Sequence, residues 1–276
     1  METTTAFYFS KIDKERAVER LREEGREAKG DLSWTVFYRA AKSWQLYVLT
    51  VLWMFWNTTV GKVANTVMQL WLEDSTNPRW SIYQVNNIPT AINGWNIVCI
   101  LVANVYVDAT GRRMAVVASN LALLLFGTII LVIWDNVPTG LHIVAYMFAG
   151  TDGPLSPIYM TWANILCFED SQVRALTIAI MNSCGAALTT LIQQFLYPVL
   201  DAPRYDKGFK ASLGFVIGMC VWVVITRLCE MKSLKRINDI RSDTEVDSDT
   251  AASDDVPVKH EMRTSVTALD ERNHAY

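Results

Sequence analysis

A chain of 276 residues that is 51% hydrophobic and carries 25 Lys and Arg against 28 Asp and Glu, a formal net charge of −3, has no basic footprint for nucleic acid. Its apolar residues are gathered into long blocks, which excludes a soluble core made of short periodic segments and points to a membrane protein. Three scattered histidines and five cysteines without metal-ligand spacing give no basis for a metal, a cofactor or catalysis.

The chain opens on a charged segment, 1–43, that reads as a cytosolic amphipathic helix. Ser10 with Asp13 resembles a capping box, Arg16, Glu19, Arg20, Glu23 and Glu24 follow at helical spacing, and Gly25 and Gly30 close the stretch. No apolar core follows a basic start, so no secretory signal is expected. Six apolar blocks then follow at about 44–72, 83–107, 114–134, 141–168, 174–200 and 210–228. Each is roughly 20 residues or longer, enough to cross a hydrocarbon core about 30 Å thick. The expected fold is therefore an all-α membrane domain of six transmembrane helices over 44–228. An even number of spans places both ends on one side, and Lys and Arg are concentrated before the first span, after the last, and at Arg112 and Arg113 in the second short loop. The positive-inside rule makes that side cytosolic. Arg204, Lys207 and Lys210 run against the rule in an outer loop. The segment 229–276 is expected to be a cytosolic tail, disordered from Ser242 onward because it is too polar to bury a core.

The six blocks differ in character. The third and sixth are nearly pure aliphatic and are expected to tolerate lipid on most sides. The other four carry polar stripes: Thr58, Lys62, Asn65 and Gln69 in the first; Asn86, Thr90 and Asn93 in the second, with Asn96 and Asn104 beyond; Asp152 among Gly150, Gly153, Pro154 and Pro157 in the fourth; Asn182, Thr189 and Gln193 in the fifth. Polar faces are costly against acyl chains, so these stripes are expected to face one another or water, as interhelical glue or as the lining of a cavity. The cysteines Cys99, Cys167, Cys184, Cys220 and Cys229 read as packed free thiols, and Asn57-Thr58-Thr59, though it fits the glycosylation pattern, lies inside a span.

Two charges stand apart. A lone charge near the bilayer centre costs about 2.5–3.5 kcal/mol on the insertion scale, and both Lys62 and Asp152 fall near the midplane at similar depth. One reading is a static ion pair between helices. The functional reading is that Lys62 attracts an anionic substrate while Asp152 balances it or takes up a proton, with Asn65, Asn86, Asn93 and Asn182 as further substrate-contacting residues.

The loop after the second block reads Asp108-Ala109-Thr110-Gly111-Arg112-Arg113. It is similar to the loop motif of the major facilitator superfamily in its second-half copy, with Ala109 in place of the usual basic residue and Asn104 where the upstream glycine would stand. Longer stretches resemble the fungal anion:cation symporter family of allantoate, nicotinate and pantothenate permeases: Phe9 to Leu21, Asn86-Asn87-Ile88-Pro89-Thr90, Trp162 through Thr177, Asp201-Ala202-Pro203-Arg204-Tyr205, and Gly208-Phe209. The resemblance implies a six-helix carboxy-terminal half whose third and sixth helices are peripheral. It further implies proton-coupled symport of small organic anions by alternating access in the plasma membrane, and an amino-terminal six-helix half as a missing partner. A truncated or remnant non-transporting protein, and a six-helix protein that dimerises to form a pathway, are the alternatives.

Overall fold

The computed structural model describes residues 34–74, 80–135, 137–168 and 170–251, with side chains to Arg236, together with Ile12 and Arg16. The expected capping box at Ser10 and Asp13 lies outside the described residues. Every regular element among them is helical: α1 (Trp34–Lys42), α2 (Trp44–Asn57), a 3-10 turn (Val60–Lys62), α3 (Ala64–Glu73), α4 (Ile82–Thr110), α5 (Arg113–Ile133), α6 (Thr139–Ala149), α7 (Leu155–Leu166), α8 (Ser171–Leu196), a second 3-10 turn (Val199–Asp201) and α9 (Asp206–Ala251).

All six apolar blocks are helical, but two are divided. By length and composition four helices can cross a membrane: α4, α5, α8 and the Asp206–Arg236 part of α9. The first block is α2 and α3 joined through the 3-10 turn, and the fourth is α6 and α7 joined through 150–154. The fourth break has an obvious cause in Gly150, Gly153 and Pro154. The first contains no proline. There the hydroxyls of Thr58 and Thr59 donate back to the carbonyls of Phe55 and Trp56 (2.9 and 3.0 Å), in competition with the helical ladder. The backbone tightens to a 3-10 pattern, with Val63 N–H donating to the Val60 carbonyl (2.9 Å). The Val60 N–H left over donates to Ser212 Oγ of α9 at 2.8 Å, in a buried position. Ser212→Ala strands that donor, and the expected cost is about 1–3 kcal/mol, read as a lowered melting temperature of the detergent-solubilised chain.

Ser43 ends α1 and caps α2, accepting from Leu46 N–H. Val36 and Ala40 of α1 bury against Val173 and Leu176 at the start of α8. Arg39 pairs with Asp170 at 3.1 Å, and Asp170 caps α8 by accepting from Gln172 and Val173 N–H. We call this the near end of the bundle. Within the bundle α2 packs between α8 and α9, while α5 packs between α6 and α9. At the far end Trp71 and Trp134 flank His142, Tyr146 and Phe209 pack against those two tryptophans, and Arg204 makes a bidentate pair with Asp135 (2.7 and 2.7 Å).

Two expectations need correcting. The third block, expected to tolerate lipid on most sides, is the most covered of the four long helices: half of its apolar window is buried, against 11% for α4 and 17% for α8. The reason is Gly127, which lets the backbone of α6 come against α5. The segment expected to lose structure at Ser242 is helical to Ala251. No glycine or proline falls between Gly218 and Pro257, so nothing in the sequence stops α9 as it leaves the apolar region. Residues past Ala251 lie outside the described ones.

Candidate functional site

The two helix breaks meet. Gly61 of the first sits against the second so closely that a Cβ there would come within 2.9 Å of both the Ala149 carbonyl oxygen and Asp152 Cγ. Only hydrogen fits, and the crossing brings Lys62 to Asp152, with Nζ 2.7 Å from Oδ2. Lys62 Nζ also stands 3.4 Å from the ring centroid of Trp56, on the last turn of α2. The indole N–H of Trp56 in turn donates to the Asp152 backbone carbonyl at 2.9 Å. One aromatic side chain thus holds both partners, by a cation–π contact and by a hydrogen bond.

The pair is asymmetric. The Asp152 side chain is 6% exposed and that of Lys62 25%. Asp152 lies just before the amino terminus of α7, where the helix dipole favours a carboxylate. The broken segment is anchored from α4 as well: Asn96 Oδ1 accepts from Gly153 N–H at 3.1 Å, and Trp95 Nε1–H donates to Thr151 Oγ1 at 2.9 Å. Thr189 of α8 donates to the Asn57 carbonyl at 2.9 Å, closing the carboxyl end of α2. The breaks are therefore held by hydrogen bonds from three neighbouring helices, α4, α8 and α9, with Lys62 the member that keeps an open side.

Of the residues expected to contact substrate or carry the proton, four gather here: Lys62, Asp152, Asn65 and Asn93. Asn65 is one turn beyond Lys62, and its amide Nδ2–H donates to Asn93 Oδ1 of α4 at 2.7 Å, while Asn65 Oδ1 is buried without a partner among the described residues. Asn86 is exposed on α4 and donates to its own helix at Ile82 (3.0 Å); Asn182 is exposed on α8 and makes no side-chain bond among the described residues. Neither makes a hydrogen bond to Lys62 or Asp152 among the described residues. The first stripe is not one helical face, because Thr58 ends α2, Lys62 sits in the 3-10 turn, and Asn65 and Gln69 belong to α3. Trp56 and Ser212 were not singled out. An indole inside an apolar block carries no signal that separates it from core, whereas Ser212 was visible as a polar residue in the blandest span.

The loop motif lies at the near end. Gly111 caps α4 in the left-handed conformation (φ 66°), with its N–H on the Val107 carbonyl at 2.7 Å, a geometry that a side chain would strain. Arg112 and Asp108 are exposed, and Asp108 makes no ion pair among the described residues. Arg113 instead pairs with Glu230 of α9, which is 3% exposed and also takes Arg227, and the Arg113 guanidinium lies 5.4 Å over the ring of the buried Trp162. The arginine supplied by the motif thus ties α5 to α9.

All five cysteines are free thiols, as expected. Comparison with known proteins agrees with the resemblance noted in the sequence. The chain is 34% identical over 221 residues to the MFS transporter PfmaC of Pestalotiopsis fici, an alignment that covers 79% of this chain and 41% of that protein. It is 31% identical over 262 residues to the pantothenate transporter liz1 of Schizosaccharomyces pombe, covering 94% and 49% respectively. It is 25% identical over 214 residues to the pantothenate transporter FEN2 of Saccharomyces cerevisiae, covering 77% and 41%. The chain spans about half the length of these relatives or somewhat less. No family model matches it, and no solved structure does.

Proposed function

We propose that this chain, a multi-pass membrane protein related over most of its length to major facilitator superfamily transporters of the pantothenate-permease kind, forms half of a proton-coupled pathway for small organic anions. Lys62 holds the carboxylate of the anion and Asp152 carries the proton. The observation that carries this reading is the Lys62–Asp152 pair, at 2.7 Å, where two broken helices cross. Broken helices at membrane depth are tolerated where they line a cavity, and an intramembrane charge pair marks a substrate or ion path.

Coupling follows from burial. An anion that draws Lys62 to itself leaves Asp152 nearly enclosed without its counter-charge, a state that costs several kcal/mol. A proton on Asp152 removes that cost, so anion and proton enter together. Trp56 keeps Lys62 near the site while the partner changes. Asn65 and Asn93 present amide groups to the hydroxyl and amide parts of a pantothenate-like molecule, and Asn86 and Asn182, on the two least covered helices, belong to the walls of the same pathway. A second six-helix unit completes those walls. Both chain ends and the Gly111-Arg112-Arg113 turn face the cytosol, and the membrane is the plasma membrane.

The test is uptake of labelled pantothenate, nicotinate or allantoate into proteoliposomes under an inward proton gradient, using the chain with and without a co-expressed amino-terminal six-helix half. Uptake that needs both units, collapses with the gradient, and is lost on Lys62→Gln is the expected result. Gradient-independent uptake would remove Asp152 from its role, and absence of saturable uptake of all three anions by the paired units would overturn the reading.

A further inference from the structure

The outer face of α9 changes character along a single stripe. At about 100° per residue, Ile217, Val221, Val224, Leu228, Lys232 and Lys235 fall within about 80° of arc. The four aliphatic members are about half exposed, while Val216, Met219, Val223, Thr226 and Glu230 on the opposite side are buried against the bundle. The stripe that meets acyl chains therefore becomes basic one turn past Leu228 with no change of direction, and exposed Arg236 borders it.

The level at which this happens is set by contacts. Trp222 Nε1–H donates to the Val48 carbonyl at 2.8 Å, which fixes α9 against the first turns of α2. Lys232 is ten residues further on, about 15 Å along the axis, and so lies beyond Trp44, where the chain enters the bundle. Exposed aromatic residues stand at that end, Trp34 (85% exposed), Tyr38 (72%) and Tyr47 (57%), as they do where a helix passes from hydrocarbon to headgroups. Of the acids nearest in sequence, Glu230 is engaged by Arg113 and Arg227 and Asp239 lies outside the described side chains; among the described residues Lys232, Lys235 and Arg236 make no ion pair.

We propose that Lys232, Lys235 and Arg236 form a binding site for the headgroups of anionic phospholipids in the leaflet at the near end. Acyl chains lie along Ile217–Leu228, and the ammonium and guanidinium groups take the phosphate and carboxylate oxygens. The site depends on the chain spanning a membrane and is independent of which solute it carries.

The experiment uses the full chain in detergent, titrated with short-chain phosphatidylserine, short-chain phosphatidylcholine, glycerophosphoserine or inorganic phosphate, while the melting temperature is followed. Saturable stabilisation by phosphatidylserine beyond that by phosphatidylcholine is expected, with none from the two soluble anions. Each basic residue near a charged surface favours anionic lipid by about 1 kcal/mol, or about fivefold, so the K232Q/K235Q/R236Q variant should lose most of the preference. Its three side chains are exposed, so its melting temperature without added lipid should match the parent. An unchanged preference in the triple variant, equal effects of the two lipids, or equal stabilisation by free phosphate would each overturn the proposal.

Discussion

Lys62→Ala is expected to cost the fold about 3–5 kcal/mol and to abolish anion binding, and most of the lost stability should return when Asp152 is neutralised in the same chain. Removing one member of a buried ion pair leaves the other charge in a medium that cannot solvate it, which is costlier than never having had the pair. Asp152 is 4% exposed and Lys62 is its ionic partner, so it has nowhere to turn. Asp152→Asn alone should be milder. It leaves a lysine whose side chain is a quarter exposed and whose ammonium still lies 3.4 Å over the Trp56 ring, a contact that supplies about 2 kcal/mol when desolvated. The expected order of melting temperatures is therefore parent, then D152N, then K62M/D152N, with K62A lowest. The double variant separates the roles, because it restores the fold without restoring a cation for the substrate. Equal stability of K62A and K62M/D152N would show that Asp152 is solvated or already protonated, and coupling by charge exchange would go with it.

How much of this was legible in the sequence can be judged at particular residues. Block lengths gave the helices, and the rarity of charge at membrane depth picked out Lys62 and Asp152 before any contact was known. Gly150, Gly153 and Pro154 announced the second break. The first break was hidden because its cause is cooperative: two threonines that bond back to the chain, a glycine too close to Ala149 to be anything else, and a serine 152 residues away that takes the loose N–H. None of these is unusual in an apolar helix by itself. An unbroken helix would put Thr58 on one face with Lys62, and nothing in the sequence separates Trp56 from the apolar residues around it. The near end shows the same limit. Arg113 was noticed for its motif, but its partner Glu230 lies just past the last block, where an acid looks like the start of a solvated tail rather than a residue 3% exposed.

Gly127→Ala should be the most damaging single-methyl change along α5, although alanine is the better helix former. A Cβ at Gly127 would stand 2.5 Å from the Ala149 backbone N and 2.6 Å from the Ala145 carbonyl oxygen, and neither atom can swing aside as a side chain can. The whole of α6 must shift. In a bilayer no hydrophobic gain drives helices together, so close approach at small residues supplies much of the packing energy, and a spacer of one methyl removes it along the contact. Overpacking of this kind costs about 1–3 kcal/mol in soluble cores, and with backbone on the receiving side the upper end of that range is expected. The shift also reaches the site, because α6 ends at Ala149, whose carbonyl oxygen abuts Gly61, and Asp152 is three residues on. The internal standard is Gly214→Ala in α9, where a Cβ meets nothing within 4 Å. There the usual preference for alanine applies and a gain of about 0.5–1 kcal/mol is expected. Melting curves of the two variants in one detergent make the comparison, and a Gly127→Ala protein as stable as the parent would mean that α5 and α6 do not cross as closely as these contacts require. Lys62 should sense the same shift, since a displaced Asp152 lengthens the ion pair, so Gly127→Ala is expected to weaken anion binding without touching any group that contacts the anion.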